Sequence, residues 1–386
     1  MQGMGRSFGV AVMAMLLAAR PAAAGSENIR RNLRQAPGLV GLTLPPTYGN
    51  ATDQLTAYAA RAVPVPASPS SFTYRFDPAT GTYQRTAETF GATLFVERPE
   101  TIGRYVWSFG VSGQYLELDE FDGRTVGTDP DPILVGGSPL EFQARPKIVY
   151  HVATVQATYG VLDDLDLNVA VPIAALDADI NARRAAPGTQ GFVNTQHGHV
   201  SVGLMDILLR AKYQITRHTG LPAALGFVAR LPTGSTEKAL GAGDAEFGPY
   251  LYVSKLLWDR VEPQFNTGFN FNIDAHQSSA QWAAGLNVHA IKDRLALGGS
   301  FHGRHETHRR LANSSVSGPH LTASGPALRP YEGLDFGRKD YLDFAGGARV
   351  RVYKTLVLAL NAIKGLNDDG LRSSEWSPIG SIEATF

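Results

Sequence analysis

No cysteine occurs in the 386 residues. That excludes disulfides, thiolate metal sites, a cysteine nucleophile and a lipid-modified cysteine anchor. Charge is also sparse. Only 18% of residues are charged, and 35 basic residues balance 35 acidic ones. Soluble proteins carry about 25%, and a neutral balance gives no argument for nucleic acid as a partner. Long apolar runs are missing after the first two dozen residues. The nearest, "KTLVLALNAIKG", is interrupted by Asn361 and Lys364. A membrane helix needs about 20 apolar residues, so none is expected.

What is present begins at the N-terminus. Arg6 precedes an apolar core, Phe8 to Ala19, and the small residues of "PAAAG" offer a cleavage site after Ala24. Basic start, short apolar core and small-residue exit form the three-part pattern of a secretory signal peptide. The expectation is an exported protein whose residues 1–24 are removed.

Alternation dominates the rest. In "YGVLDDLDLNVAVPI", Leu165, Leu167, Val169, Val171 and Ile173 fall on one side, and Asp166, Asn168, Ala170 and Pro172 on the other. Phe265 to Ile273, Trp282 to Ala290, Tyr105 to Val111 and Met205 to Ile215 alternate similarly. Period two is the mark of a strand with two unlike faces. About twelve such strands are expected: 104–118, 147–159, 164–176, 200–216, 222–231, 246–257, 261–274, 281–291, 294–305, 339–353, 355–363 and 375–386. Most reach the roughly ten residues of a membrane-crossing strand. Soluble strands are shorter, near five or six.

Connections alternate short and long. Short ones fall near Leu162, Thr219, Asp259, Lys292 and Lys354, and long ones at 119–146, 177–199, 232–245, 275–280, 306–338 and 364–374. Short periplasmic turns facing longer external loops are the habit of outer-membrane barrels. An even strand number puts both chain ends on the turn side. In hydrocarbon every backbone polar group must be paired, so the strands must close into a ring. The expected fold is therefore an all-β, transmembrane antiparallel barrel over 104–386. Its aliphatic face meets outer-membrane lipid, and its other face meets a lumen. Aromatics near strand ends (Tyr105, Trp107, Tyr159, Tyr213, Trp258, Trp282, Trp376) would form the interfacial girdles. The terminal Phe386 shares a face with Ile382, Ala384 and Trp376, the pattern by which a final strand engages barrel-assembly machinery.

Four stretches go beyond periodicity: "SFTYRFDPATGTYQRTAETFGATLFVERPETIGR" (71–104), "YGVLDDLDLNVAVP" (159–172), "VGLMDILLRAKYQI" (202–215) and "RLPTGSTEKALGAGDAEFGPYLYVSK" (230–255). Together they resemble the outer-membrane family named for the phenol meta-cleavage pathway. The resemblance spans 71–386 and implies a transporter related to channels for hydrophobic compounds. Met205-Asp206 stands where that family usually has Gly-Asp.

Residues 25–103 do not read as barrel wall. "NIRRNLRQA" suggests a short basic helix, "ARAVPVPASPSS" a linker, and Phe72 to Thr86 a hairpin turning at "DPATG". "GATLFVERPE" is a candidate for another short strand. A ring of about twelve is intermediate between the filled eight-stranded barrel and the open porin, so one folded segment could plug it. A periplasmic tail is the equal alternative.

Catalytic signals are weak. "FHGRHETHRR" places His302, His305, His308 and Glu306 without metalloprotease spacing, and a strand would send His302 and His305 to opposite faces. His197 and His199 share a side. Ser300, His302 and His289 lack any nucleophile motif. No enzyme activity, cofactor or metal is expected. Inward charges are Asp166, Asp206, Arg210, Lys212, Arg230, Asp274, Arg304, Asp343, Arg349, Arg351 and Glu383. Among them Asp206, Arg210, Lys212, Arg230, Arg349 and Arg351 are the lumen-lining candidates for selectivity, their basic excess favouring anions weakly. Leu204, Leu208, Val228, Tyr250 and Tyr252 are the apolar inner-face candidates. Two functions stay open: a channel for small solutes, hydrophobic or aromatic ones included, and a structural or binding barrel that displays long loops.

Overall fold

A computed structural model describes residues 28–39, 46–69, 72–85, 94–125, 131–135, 138–185, 192–216, 221–272, 278–307, 320–322, 325–329 and 338–386. The expected signal peptide, Asp274, His308 and most of the 306–338 loop lie outside them. Among the described residues no helix is long and apolar enough to cross a membrane.

The wall is built from β1 (Trp107–Leu118), β2 (Ser138–Leu162), β3 (Leu165–Ala185), β4 (Phe192–Leu204), β5 (Ile207–Gln214), β6 (Ala223–Leu231), β7 (Glu246–Ser254), β8 (Val261–Asn272), β9 (Ser279–Ile291), β10 (Leu295–Glu306), β11 (Asp340–Tyr353), β12 (Leu356–Gly365) and β13 (Ser377–Thr385). The ring runs β2, β1, β13, β12, β11, β10, β9, β8, β7, β6, β5, β3 and closes through the β2–β3 pairing. It is a closed antiparallel barrel of twelve strands. Asp131–Val135 and β4 extend the sheet beyond the rim at the long-loop end. The seam between chain ends is sealed: Trp107 N donates to Phe386 O at 3.0 Å, and Phe386 N returns to Trp107 O at 2.8 Å.

Exposure follows the alternation. Leu360 is 69% exposed, Phe301 48% and Leu286 47%, all facing out. Their inward neighbours Asn361, Ser300 and Asn287 are buried. Large aliphatic and aromatic side chains cover the outside, and hydroxyls, amides and charges line the inside. Such an outer surface is untenable in water and is what lipid requires. Tyr105, Trp107, Tyr213, Trp258 and Tyr353 project outward toward the turn end, and Trp282 and Trp376 toward the loop end. Short turns use left-handed backbone at Trp258, Asp259, Asp293 and Lys354, the geometry that closes tight hairpins.

Three expectations about the strands need correction. First, the region 177–199 is mostly strand, since β3 runs to Ala185 and β4 starts at Phe192. Above Ala175 the polarity reverses. Asp177 and Asp179 point outward, while Leu176, Ala178 and Ile180 point in and are buried. The hairpin continues past the lipid boundary, so its outer face meets water and its inner face packs on protein. Second, 200–216 is two strands. Met205 and Asp206 are both buried, at 4% and 3%, and break the alternation. Val202 and Leu204 face out above the break, whereas Leu208, Arg210 and Lys212 face in below it. One inserted residue flips a strand's faces; Leu204 is therefore not an inner-face residue. Third, the described part of the candidate strand, residues 94–100, is not strand: residues 94–96 are bends.

The described residues between 28 and 102 run from the loop end into the ring. Helix α1 (Ile29–Leu39) and helix α2 (Pro46–Ala62) sit at the loop end. Ile29, Leu33, Leu55 and Tyr58 share a core with Ile148, Tyr150, Leu176, Ile180 and Leu240. Asn28 donates to Glu237 at 3.1 Å and Arg30 to Thr236 at 2.5 Å. The start of the described chain therefore lies at the loop end, not the turn end. The sequence argument about chain ends holds for β1 and β13 only. From α2 the chain descends. Ala67 N donates to Leu94 O at 2.7 Å, and Tyr74 N to Ile102 O at 2.8 Å. A hairpin, Tyr74–Asp77 with Thr82–Arg85, lies toward the turn end. Gly160 permits the final passage into the wall: a Cβ there would meet Gly103 O at 1.7 Å.

Candidate functional site

The lumen is crossed by residues 94–102 and holds a cavity of about 340 Å³ next to them. Alternation selects its lining. On β5, Leu208 and Arg210 face in; on β6, Val228 and Arg230; on β7, Tyr250 and Tyr252. Phe95 and Glu97 close it from the inner segment, and Arg61 to Val65 from the end of α2.

Ion pairs tie the inner segment to the wall. Lys212 Nζ lies 3.0 Å from Glu97 Oε1 and donates also to Arg98 O at 3.0 Å. Ser68 donates to the same carboxylate through its N at 2.8 Å and through its hydroxyl. Arg98 pairs with Glu262 at 3.3 Å and Glu100 at 3.4 Å, and Glu262 faces His289 at 3.7 Å. Ile102 N donates to Asp166 Oδ2 at 3.0 Å, and Thr101 Oγ1 to Asp163 O at 2.6 Å. Breaking such desolvated pairs is costly because a charge is left behind.

The six selectivity candidates are not one cluster. Asp206 accepts from Gly234 N at 3.0 Å and Ala242 N at 2.9 Å, folding the 232–245 loop onto the rim. Lys212 holds Glu97. Arg230 lies 3.8 Å from Glu246, which Arg61 also approaches at 3.0 Å. Arg349 pairs with Glu383 at 2.5 Å, away from the cavity lining. Arg351 is half-buried next to the turn end, opposite Val357. Arg210 differs from the rest. It lines the cavity, donates to the neutral amides of Gln156 at 3.2 Å and Asn168 at 3.3 Å, and makes no ion pair among the described residues. The other cavity arginines are engaged: Arg61 with Asp244, Arg304 with Glu306, and Arg372 with Asp343.

Aromatic rings flank it. Tyr250 and Tyr252 stack at 6.1 Å with an interplanar angle of 17°. Both lie over glycines of neighbouring strands: a Cβ at Gly226 would sit 2.4 Å from Tyr252 Cε2, and one at Gly268 2.3 Å from Tyr250 Cδ1. Only a bare backbone lets the rings lie flat on the wall. Tyr250 donates to Asn270 Oδ1 at 2.8 Å.

His308 and the side chains of His197 and His199 lie outside the described residues. His302 bonds Ser300 Oγ at 2.8 Å and meets the Phe95 ring edge-on at 6.1 Å. His305 points the other way and pairs with Asp340. The Ser300–His302 contact brings a hydroxyl to an imidazole, and no carboxylate is paired with that imidazole among the described residues. No group of three metal-ligating side chains occurs among the described residues. Sequence reasoning missed Glu97, Arg98 and Glu262. Glu262 continues the polar face of Gln264 and Asn266 and could have been read; Glu97 and Arg98 lie in a stretch without periodicity.

No family model matches the chain, and no curated protein matches it. Solved structures do. It is similar to an outer membrane channel from Pseudomonas putida F1, at 12% identity over 74% of this chain and 97% of that one, with a TM-score of 0.48. It is similar to the NanC porin, at 7% identity over 72% and 98%, TM-score 0.37. The CymD monoaromatic hydrocarbon channel matches at 10% identity over 74% and 90%, TM-score 0.33. Likenesses of this size carry no argument about this chain's own role.

Proposed function

We propose that the chain is an outer-membrane channel for small solutes whose lumen is plugged by its own N-terminal segment. The observation that carries this reading is the cavity of about 340 Å³ inside a lipid-facing barrel, lined by Phe95 and Glu97 of the inner segment. A barrel serving only as a scaffold gains nothing from a polar, arginine-lined void at its centre. Passage requires the inner segment to shift, which means giving up both the ion pairs of Glu97 and Arg98 and the packing of Leu94 and Phe95 on Ala359 and Ile379. Solutes enter from the loop end, where α1 and α2 line the mouth. The resemblance to the phenol-pathway family supports an aromatic or hydrophobic cargo. In the same reading, residues 1–24 direct export and Phe386, whose ring is exposed beside Phe109, offers the terminal aromatic to the assembly machinery.

Deleting residues 26–102 and recording single channels in planar bilayers tests the plug. Conductance should rise severalfold over the full chain. Equal current from both forms, with the deleted form still folded, refutes occlusion. Liposome swelling with one-ring solutes tests transport itself: no swelling by either form favours the loop-displaying barrel instead.

A further inference from the structure

We infer that the luminal cavity binds small aromatic carboxylates, with Arg210 holding the carboxylate and the Tyr250–Tyr252 pair holding the ring. The inference rests on the channel reading for its access route, and it adds the ligand class.

The chemistry follows from what each cavity group already does. Every other arginine lining the cavity has a carboxylate within 4 Å, so its charge is matched by the protein. Arg210 hydrogen-bonds only amide oxygens, both through one terminal nitrogen, while Glu97 attracts it from beyond ion-pair distance. Its remaining donors form a planar fork, the geometry that suits a carboxylate bidentately. Glu97 lies in the same cavity, but Lys212 and Ser68 saturate its oxygens. The groove beside Arg210 is aromatic. Tyr252 is buried at 6% exposure, and its hydroxyl has no hydrogen-bond partner among the described residues. The two flat rings, seated over Gly226 and Gly268, present faces and edges against which a third ring can stack or tilt. Leu208, Val228 and Phe95 complete an apolar wall. A volume of about 340 Å³ is at the small end for ligand sites, which suits one ring and not a long acyl chain. A hydrocarbon would leave the guanidinium unmatched; a small inorganic anion would leave the aromatic wall unused.

The test uses the full-length protein in detergent and isothermal titration calorimetry. Probes are benzoate, benzamide as its neutral isostere, and cyclohexanecarboxylate as the non-aromatic acid. Wild type should bind benzoate at least about tenfold more tightly than benzamide, the margin of one charge-assisted hydrogen bond in a buried site. Arg210→Gln should abolish that margin, and Arg210→Lys should keep part of it. Tyr252→Leu should leave the acid-over-amide margin but erase the preference for benzoate over cyclohexanecarboxylate. Heat-modifiable gel mobility reports whether each barrel is folded. Should Arg210→Gln fail to fold, the Arg210→Lys and Tyr252→Leu comparisons decide. Equal binding of benzoate and benzamide by wild type overturns the inference, as does benzoate binding unchanged by Arg210→Gln. Because binding is read without a membrane, its failure leaves solute permeation to stand or fall on liposome swelling alone.

Discussion

Removing the Lys212 ammonium tests how the inner segment is held. Its side chain is 6% exposed and that of Glu97 is 10%, so both charges are desolvated. Lys212→Met leaves Glu97 with the two Ser68 donors and the more distant Arg210 guanidinium. Stripping one partner from a buried pair costs about 3–5 kcal/mol, and the surviving Ser68 bonds place the loss near the lower bound. Every 1.4 kcal/mol is about tenfold in an equilibrium, so the ratio of docked to undocked segment should fall by about two decades. The barrel itself should not weaken, because its ladders do not pass through Glu97. Limited proteolysis of folded protein in vesicles reads the difference. Lys212→Met should be cut between residues 64 and 103 far faster than wild type, with unchanged gel mobility of the barrel. Adding Glu97→Gln should restore most of the protection, since no charge is then stranded, and the double-mutant cycle should show coupling. Cleavage of Lys212→Met at the wild-type rate, or additive effects in the cycle, would refute the reasoning.

Leu286 sits mid-strand on the lipid face. Leu286→Lys should cost about 2–4 kcal/mol in vesicle refolding, whereas Trp258→Lys, at the turn end, should cost about 0–1 kcal/mol. Gly160→Ala drives a methyl into Gly103 O, and urea unfolding should register a loss of about 3 kcal/mol. Asp206→Asn keeps one acceptor for the two loop amides Gly234 and Ala242. Amide exchange at that pair should accelerate by the equivalent of about 1–3 kcal/mol.

The barrel was legible because lipid imposes a strict rule. Leu165 to Ile173 and Phe265 to Ile273 must alternate to satisfy hydrocarbon and lumen together, and short turns at Asp259, Lys292 and Lys354 fix direction. The same rule misled where its cause stopped. Above Ala175 no lipid touches β3, so Asp177 and Asp179 look like loop though they are strand. Met205-Asp206 looks like two steps of alternation, yet Asp206 must face in to cap the 232–245 loop, which flips Leu204 outward. The site was half visible. Arg210, Lys212, Tyr250 and Tyr252 follow from inward parity. Their partners Glu97 and Arg98 do not, because nothing periodic marks a segment surrounded on all sides by wall. Nor could spacing reveal that Arg210 alone among the cavity arginines has no carboxylate within 4 Å; that depends on which strands become neighbours.

Residues 94–102 lie inside the ring. A Cβ on Gly285 would come within 3.3 Å of Val96 Cγ2, a separation that a disulfide can span. The chain has no cysteine of its own, so Val96→Cys with Gly285→Cys gives an unambiguous crosslink. Oxidation in isolated outer membranes followed by mass spectrometry of the digested protein should yield the 96–285 disulfide in nearly every folded molecule. A folded barrel with both thiols free and alkylated at the rate of exposed cysteines would contradict this placement.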